Sequence, residues 1–151
     1  MTQYLSNAAW AFAAGALIPV MAILNAGLAR AAGHPAIAGA TLFAIGFAFC
    51  VAIAAIAGVR NLGSLLHAPP HLFAGGLIVG FYILSITMLA RRFGVGNAIL
   101  FVMVAQIFTS AAIDHFGLLG AVQRSLNLER IGGLLLMIIG LAVTQLSNRA
   151  G

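Results

Sequence analysis

Five apolar stretches, each about as long as a bilayer-crossing helix, occupy most of this chain and leave it few alternatives. A hydrocarbon core about 30 Å thick needs about 20 consecutive apolar residues in helical form. Runs of that order lie at residues 8–29, 35–59, 72–90, 95–113 and 128–147. They are apolar at odd and even positions alike, unlike the alternating ten-residue segments of a membrane barrel. Charge points to the same solvent. Only 6% of the 151 residues are charged, against roughly 25% in soluble domains, too few to solvate the surface of a domain this small. A soluble domain, a disordered chain and a disulfide scaffold are thereby excluded. So is a nucleic-acid binder: the net charge of +5 is seven arginines set against Asp114 and Glu129, with no basic stripe. The chain reads as an all-α integral membrane protein, a five-transmembrane-helix bundle forming a single membrane domain over residues 1–151.

Punctuation divides the runs. Arg30 and the Gly33-His34-Pro35 turn close the first, and Pro35 opens the second at a helix start, where its missing N–H costs nothing. Arg60 ends that span, and a loop from Asn61 to His71 follows, carrying the helix-stopping Pro69-Pro70 pair. The third span ends at Arg91-Arg92, Phe93-Gly94 turns the chain into the fourth, and Asp114-His115-Phe116-Gly117 ends the fourth. The fifth carries Glu129 and Arg130 in its first turn. The N-terminus shows neither a positive region nor a cleavage site, so the first run is expected to be a mature span. Tyr4 and Trp10 read as interfacial anchors, and the lone Cys50 as a small packing residue. Alanines at 36, 40, 44, 48 and 52 recur on one face of the second span; Ala22 with Ala26 and Gly76 with Gly80 repeat the spacing. Such smooth stripes let helix backbones approach closely in lipid.

Five spans place the termini on opposite sides of the membrane. One side then receives Arg60, Arg124 and Arg130, the other Arg30, Arg91, Arg92 and Arg149. A margin of one arginine is almost no instruction under the positive-inside rule. Two outcomes follow: the chain inserts both ways and pairs head-to-tail with itself, or a partner chain sets its orientation. An antiparallel pair of five-span chains has the layout of an inverted-repeat transporter with its site at the midplane.

Polar groups within spans must face protein or a wet cavity. Gln106, Ser110 and Asp114 follow one another at four-residue spacing, drifting only about 80° around the helix. They read either as cavity lining or as interhelical hydrogen-bond glue worth about 0.6 kcal/mol per contact. Asp114 sits in the last turn of its helix and Arg130 in the first turn of the next span, each at the end its charge disfavours. An ion pair between them would compensate both; the competing reading makes Asp114, with His115, a coupling or gating group. Pro19 removes a backbone hydrogen bond from the first span and is expected to kink it. Asn25 beyond it, together with Tyr82 and Ser85 on the third span, reads as lining the same path. His67 and His71 bracket two prolines with no Cys or carboxylate nearby, so no metal site is expected, and no cofactor loop is present.

The run Gln106-x3-Ser110-x3-Asp114-His115-Phe116-Gly117, followed by Gly132-Gly133, resembles the signature of the YdcZ-type family of the drug/metabolite transporter superfamily. Gly15, Pro19, Asn25 and Leu28 of the first span, and Gly75, Gly76 and Gly80 of the third, are similar to that family as well. The chain departs from the pattern at Met21, where the family has Gln, and at Ala105, where Gly is common. At the third-span entry, Pro70, His71 and Phe73 stand in place of a Pro-Trp-Trp cluster. The resemblance implies half of a ten-helix inverted-repeat transporter, with the first, third and fourth helices of each half lining the cavity. Small multidrug-resistance relatives exchange protons on a first-helix Glu; the first span here contains no acid.

These readings lead to an expectation of a secondary transporter or exporter of a small organic solute, in the bacterial inner membrane, working by alternating access as an antiparallel homodimer. Asn25, Tyr82, Gln106 and Ser110 would bind substrate, and Asp114 and His115 would couple or gate. The alternative is a non-transporting membrane subunit, or a half-transporter that needs a separate, oppositely oriented partner. An intramembrane enzyme on Asp114-His115 is disfavoured, because no nucleophile lies beside them.

Overall fold

The computed structural model describes residues 2–59 and 62–150, with positions 2, 62 and 148–150 described as backbone only. Arg60, Asn61 and the side chain of Arg149, which enter the orientation tally and the loop bounds above, lie outside the described residues. Five helices account for most of the rest: α1 (Thr2–Ala31), α2 (Pro35–Ile56), α3 (Ala74–Arg92), α4 (Val95–Phe116) and α5 (Leu128–Ala150). All five spans are long and apolar enough to cross a membrane, and no strand occurs among the described residues. Their bounds differ from the apolar runs because hydropathy marks only the dry stretch. Helical hydrogen bonding continues into polar turns, as it does past Ile113 to Phe116.

The segment between α2 and α3 is more ordered than a plain loop. Leu62–His67 and Pro70–Phe73 each wind into a short 3-10 turn. Pro70 opens the second turn with φ already restricted and no N–H to satisfy, and α3 therefore begins at Ala74 rather than at Leu72. Pro19 does not interrupt α1, which stays helical from end to end.

The chain divides into two compact units, Met1–Val95 and Gly96–Gly151. In the first, α1, α2 and α3 pack against one another. Small residues make this possible. Ala22, Ala26 and Ala29 form one buried face of α1, and Ile83, Ile86 and Thr87 form that of α3. On α2 the buried pair is Ala38 and Gly39. A methyl group on Gly39 would meet Leu84 Cδ2 at 3.4 Å and Ile83 Cγ2 at 3.9 Å, so α2 and α3 are separated there by one layer of side chain. In lipid this close van der Waals fit holds helices together, since burying apolar surface from other apolar surface gains little. The alanines at 36, 40, 44 and 48 on α2 are exposed, so that stripe is not the face by which α2 joins its own unit.

In the second unit α4 and α5 are tied at both ends. Near one end Gln145 Nε2 donates to Asn97 Oδ1 at 3.1 Å; near the other Arg130 Nη2 donates to Asp114 Oδ2 at 2.7 Å. Gly117 ends α4 in the left-handed region at φ 61°, where the absence of a Cβ removes the steric cost. Leu119 has a similar φ of 57° without that advantage, and it is 90% exposed.

Two substitutions check this packing. Gly39→Ala should leave the unfolding temperature in detergent nearly unchanged, whereas Gly39→Leu should destabilise by about 1–3 kcal/mol through overpacking. Leu119→Gly should stabilise the protein by about 1 kcal/mol, the cost of holding an L-residue in the left-handed region. Equal unfolding temperatures for both Gly39 variants would contradict the close approach of α2 and α3.

Candidate functional site

Polar side chains within the spans fall into two groups, one in each unit. In the first unit, Asn25 on α1 is 4% exposed and Thr87 on α3 is 1% exposed. The Asn25 amide Nδ2 donates to Thr87 Oγ1, and Thr87 Oγ1 in turn donates to the Ile83 carbonyl at 2.7 Å. Asn25 Oδ1 is buried without a hydrogen-bond partner in the protein. The same residue lines a groove of about 380 Å³ between α1 and α2, whose other walls include Leu17, Met21, Leu24, Leu42 and Ile45.

Thr87 was not among the residues that sequence reasoning singled out. Its signal was present: Ile83, Ile86 and Thr87 repeat at i, i+3 and i+4, the stripe that a helix turns toward its neighbours. Tyr82 and Ser85 are half-buried on α3, but at 100° per residue Tyr82 lies about 140° around the helix from Thr87. The structure therefore does not bring Tyr82 to Asn25.

The second unit holds Gln106, Ser110, Asp114 and His115 on α4. Gln106 and Ser110 are exposed, one turn apart on the same face. Ser110 and Arg130 both line a groove of about 320 Å³ between α4 and α5, with Ile107, Ala111 and Met137 among its apolar walls. The Asp114–Arg130 ion pair is partly solvated, with 28% and 34% of the side chains exposed. A pair of that kind contributes from a few tenths to about 1 kcal/mol. It also answers the helix-end mismatch, because each charge neutralises the other where the macrodipoles do not.

Asp114 and His115 further organise the connection to α5. The Asp114 carbonyl accepts from the Arg124 N–H at 2.8 Å. The His115 carbonyl accepts from Gln123 Nε2 at 3.2 Å, and His115 Nδ1 accepts from the Leu126 N–H at 3.2 Å. The Phe116 ring packs edge-on to the His115 imidazole at 4.8 Å. Asn127 Oδ1 then accepts from the Arg130 N–H at 2.9 Å, capping the start of α5. The last turn of α4 and the first of α5 are thus joined by side chain and backbone together.

A third cavity, of about 520 Å³, lies in the first unit and is lined by His34, Leu84, Met88, Arg91 and Arg92 among others. His34 Nδ1 is engaged there by the Ala36 N–H at 3.1 Å, which caps α2.

A family model described as "Putative inner membrane exporter, YdcZ" matches residues 7–143, taking in parts of all five helices and both polar groups. No curated protein and no solved structure matches the chain. Five membrane-capable helices, a match over nearly the whole length and an uncovered polar face on α4 agree on one assignment. This chain belongs to the YdcZ-type family of the drug/metabolite transporter superfamily, a family of multi-pass inner-membrane exporters rather than of enzymes.

Proposed function

We propose that two copies of this chain, inserted in opposite orientations, form a ten-helix secondary transporter that exports a small organic solute by alternating access. The observation that carries this reading is the exposure of Gln106 and Ser110 on α4. An amide in hydrocarbon without a partner is expensive, so this face is built to be covered by protein or by a water-filled path. A second half supplies both. The near-even arginine count allows the opposite insertion that such a half requires. The alanine face of α2, left uncovered within the chain, is smooth enough to take a neighbouring helix.

In this reading Asn25 and Tyr82 of the first unit and Gln106 and Ser110 of the second are the residues that meet the solute. Asp114 has two roles that do not compete. Its ion pair holds the α4–α5 corner in one arrangement, and breaking the pair would release that corner during the access change. His115, bonded to the same connection, acts with it as a gate. A non-transporting subunit would need the same polar face covered by a different chain, and that outcome is separable by orientation.

Two measurements follow. Tagging of both ends in intact cells and in inverted vesicles should find each terminus on both sides in comparable amounts, and Ala31→Lys with Ala32→Lys should drive the chain to one orientation and abolish transport. A wild-type protein found in one orientation alone would overturn the homodimer. In proteoliposomes carrying a panel of labelled organic cations, anions and neutral amphiphiles, Gln106→Ala and Asp114→Asn should each cut initial flux at least about tenfold. Asp114→Asn should lower the unfolding temperature no more than Arg130→Gln does, since both remove the same pair. Undiminished flux in both variants would remove the path from α4.

A further inference from the structure

The hydrogen count at Asn25 and Thr87 has one solution. Thr87 has a single hydroxyl hydrogen, and the 2.7 Å bond to the Ile83 carbonyl uses it, the i−4 bond typical of a helical threonine. The Thr87 oxygen can then only accept. Asn25 must therefore turn its NH2 toward α3, because the flipped amide would set two acceptors against each other. The carbonyl oxygen is what remains, buried and without a partner in the protein. Thr87 decides which end of the Asn25 amide is held by the protein and which end is left to something else.

The residue that carries this oxygen borders an apolar groove. Asn25 lines the 380 Å³ groove of α1 and α2, and no charged side chain lines it. That volume falls within the range of small-molecule sites. An unpartnered carbonyl oxygen beside an apolar groove recognises an N–H or O–H donor attached to an apolar body. It rejects anions and ethers, which bring only lone pairs, and the absence of a carboxylate gives a cation no advantage over a neutral donor. We propose that this groove is the binding site for a neutral, donor-bearing small amphiphile, with Asn25 Oδ1 as its acceptor and Thr87 as the positioning residue that keeps that oxygen turned away from α3. As a substrate site it rests on the transporter reading; as a binding site it does not. The oxygen is covered at the groove surface, so a ligand's donor reaches it only by displacing the wall beside Asn25.

The test compares two probes that differ in the donor, 4-fluorobenzyl alcohol and 4-fluorobenzyl methyl ether. Binding is read by fluorine NMR on the full chain in lipid nanodiscs, with partitioning into empty nanodiscs subtracted. The alcohol should bind at least about fivefold more tightly than the ether, although the ether is larger and more apolar. The ratio should fall to about one in Asn25→Leu. It should fall also in Thr87→Val, where the freed amide can offer either end, and persist in Thr87→Ser. Equal affinities in the wild type, or a ratio that survives Asn25→Leu, would overturn the site. Should Asn25→Leu not fold, the contrast between Thr87→Ser and Thr87→Val decides alone, and an unchanged ratio across both overturns Thr87 as the positioning residue. Donor-selective binding without flux in proteoliposomes would sink the transporter reading and leave the site; flux without donor selectivity would do the reverse.

Discussion

Hydrocarbon offers no hydrogen bonds, and that single property of the solvent orders this structure. Every backbone amide within a span has to be satisfied by its own helix, which is why the described residues contain helices and no strands. The same rule acts on side chains with greater discrimination. A threonine satisfies itself on its own helix, as Thr41, Thr87 and Thr144 all do with the carbonyl four residues back. An asparagine or glutamine cannot, having both donors and acceptors to place. The informative residues are therefore the amides: Asn25 half satisfied by Thr87, Gln145 donating to Asn97 across two helices, and Gln106 left at an exposed face.

Apolar length, and the prolines and glycines at the turns, marked the five helices in the sequence, because a bilayer imposes a length and a chain must turn outside it. Which face of each helix packs was far less legible. In a soluble protein the buried face is apolar and the other polar, so periodicity names it; in lipid both faces are apolar. The regular alanine series on α2 stood out, yet the buried residues of α2 are Ala38 and Gly39, between the stripe positions. Small residues permit close approach without specifying the helix that approaches. Thr87 escaped notice for a related reason: a lone hydroxyl in an apolar run looks self-satisfied until the amide from another helix is placed beside it.

Charge left a clearer trace than packing did. Asp114 and Arg130 each stood at the wrong end of a helix dipole, a mismatch that can be read from position alone. The structure sets their side chains 2.7 Å apart. The backbone that serves this corner could not be read in the same way. Seven residues from 121 to 127 take no regular form, and their amides bond to the Asp114 carbonyl and to His115 Nδ1 only because the left-handed turns at 117, 119 and 120 redirect the chain. Irregular backbone satisfied by side chains has no periodicity to detect.

The distribution of these polar groups bears on how a transporter without an acid in its first span could be coupled. Asn25 cannot exchange a proton at any physiological pH, and α1 brings no acid into the span. The titratable groups of α4 lie at its end, where Asp114 is held by Arg130 and the His115 Nδ1 lone pair is occupied by the Leu126 N–H. The two polar groups therefore differ in kind: an uncharged amide on α1, held by Thr87, and an ion pair at the end of α4 that ties it to α5.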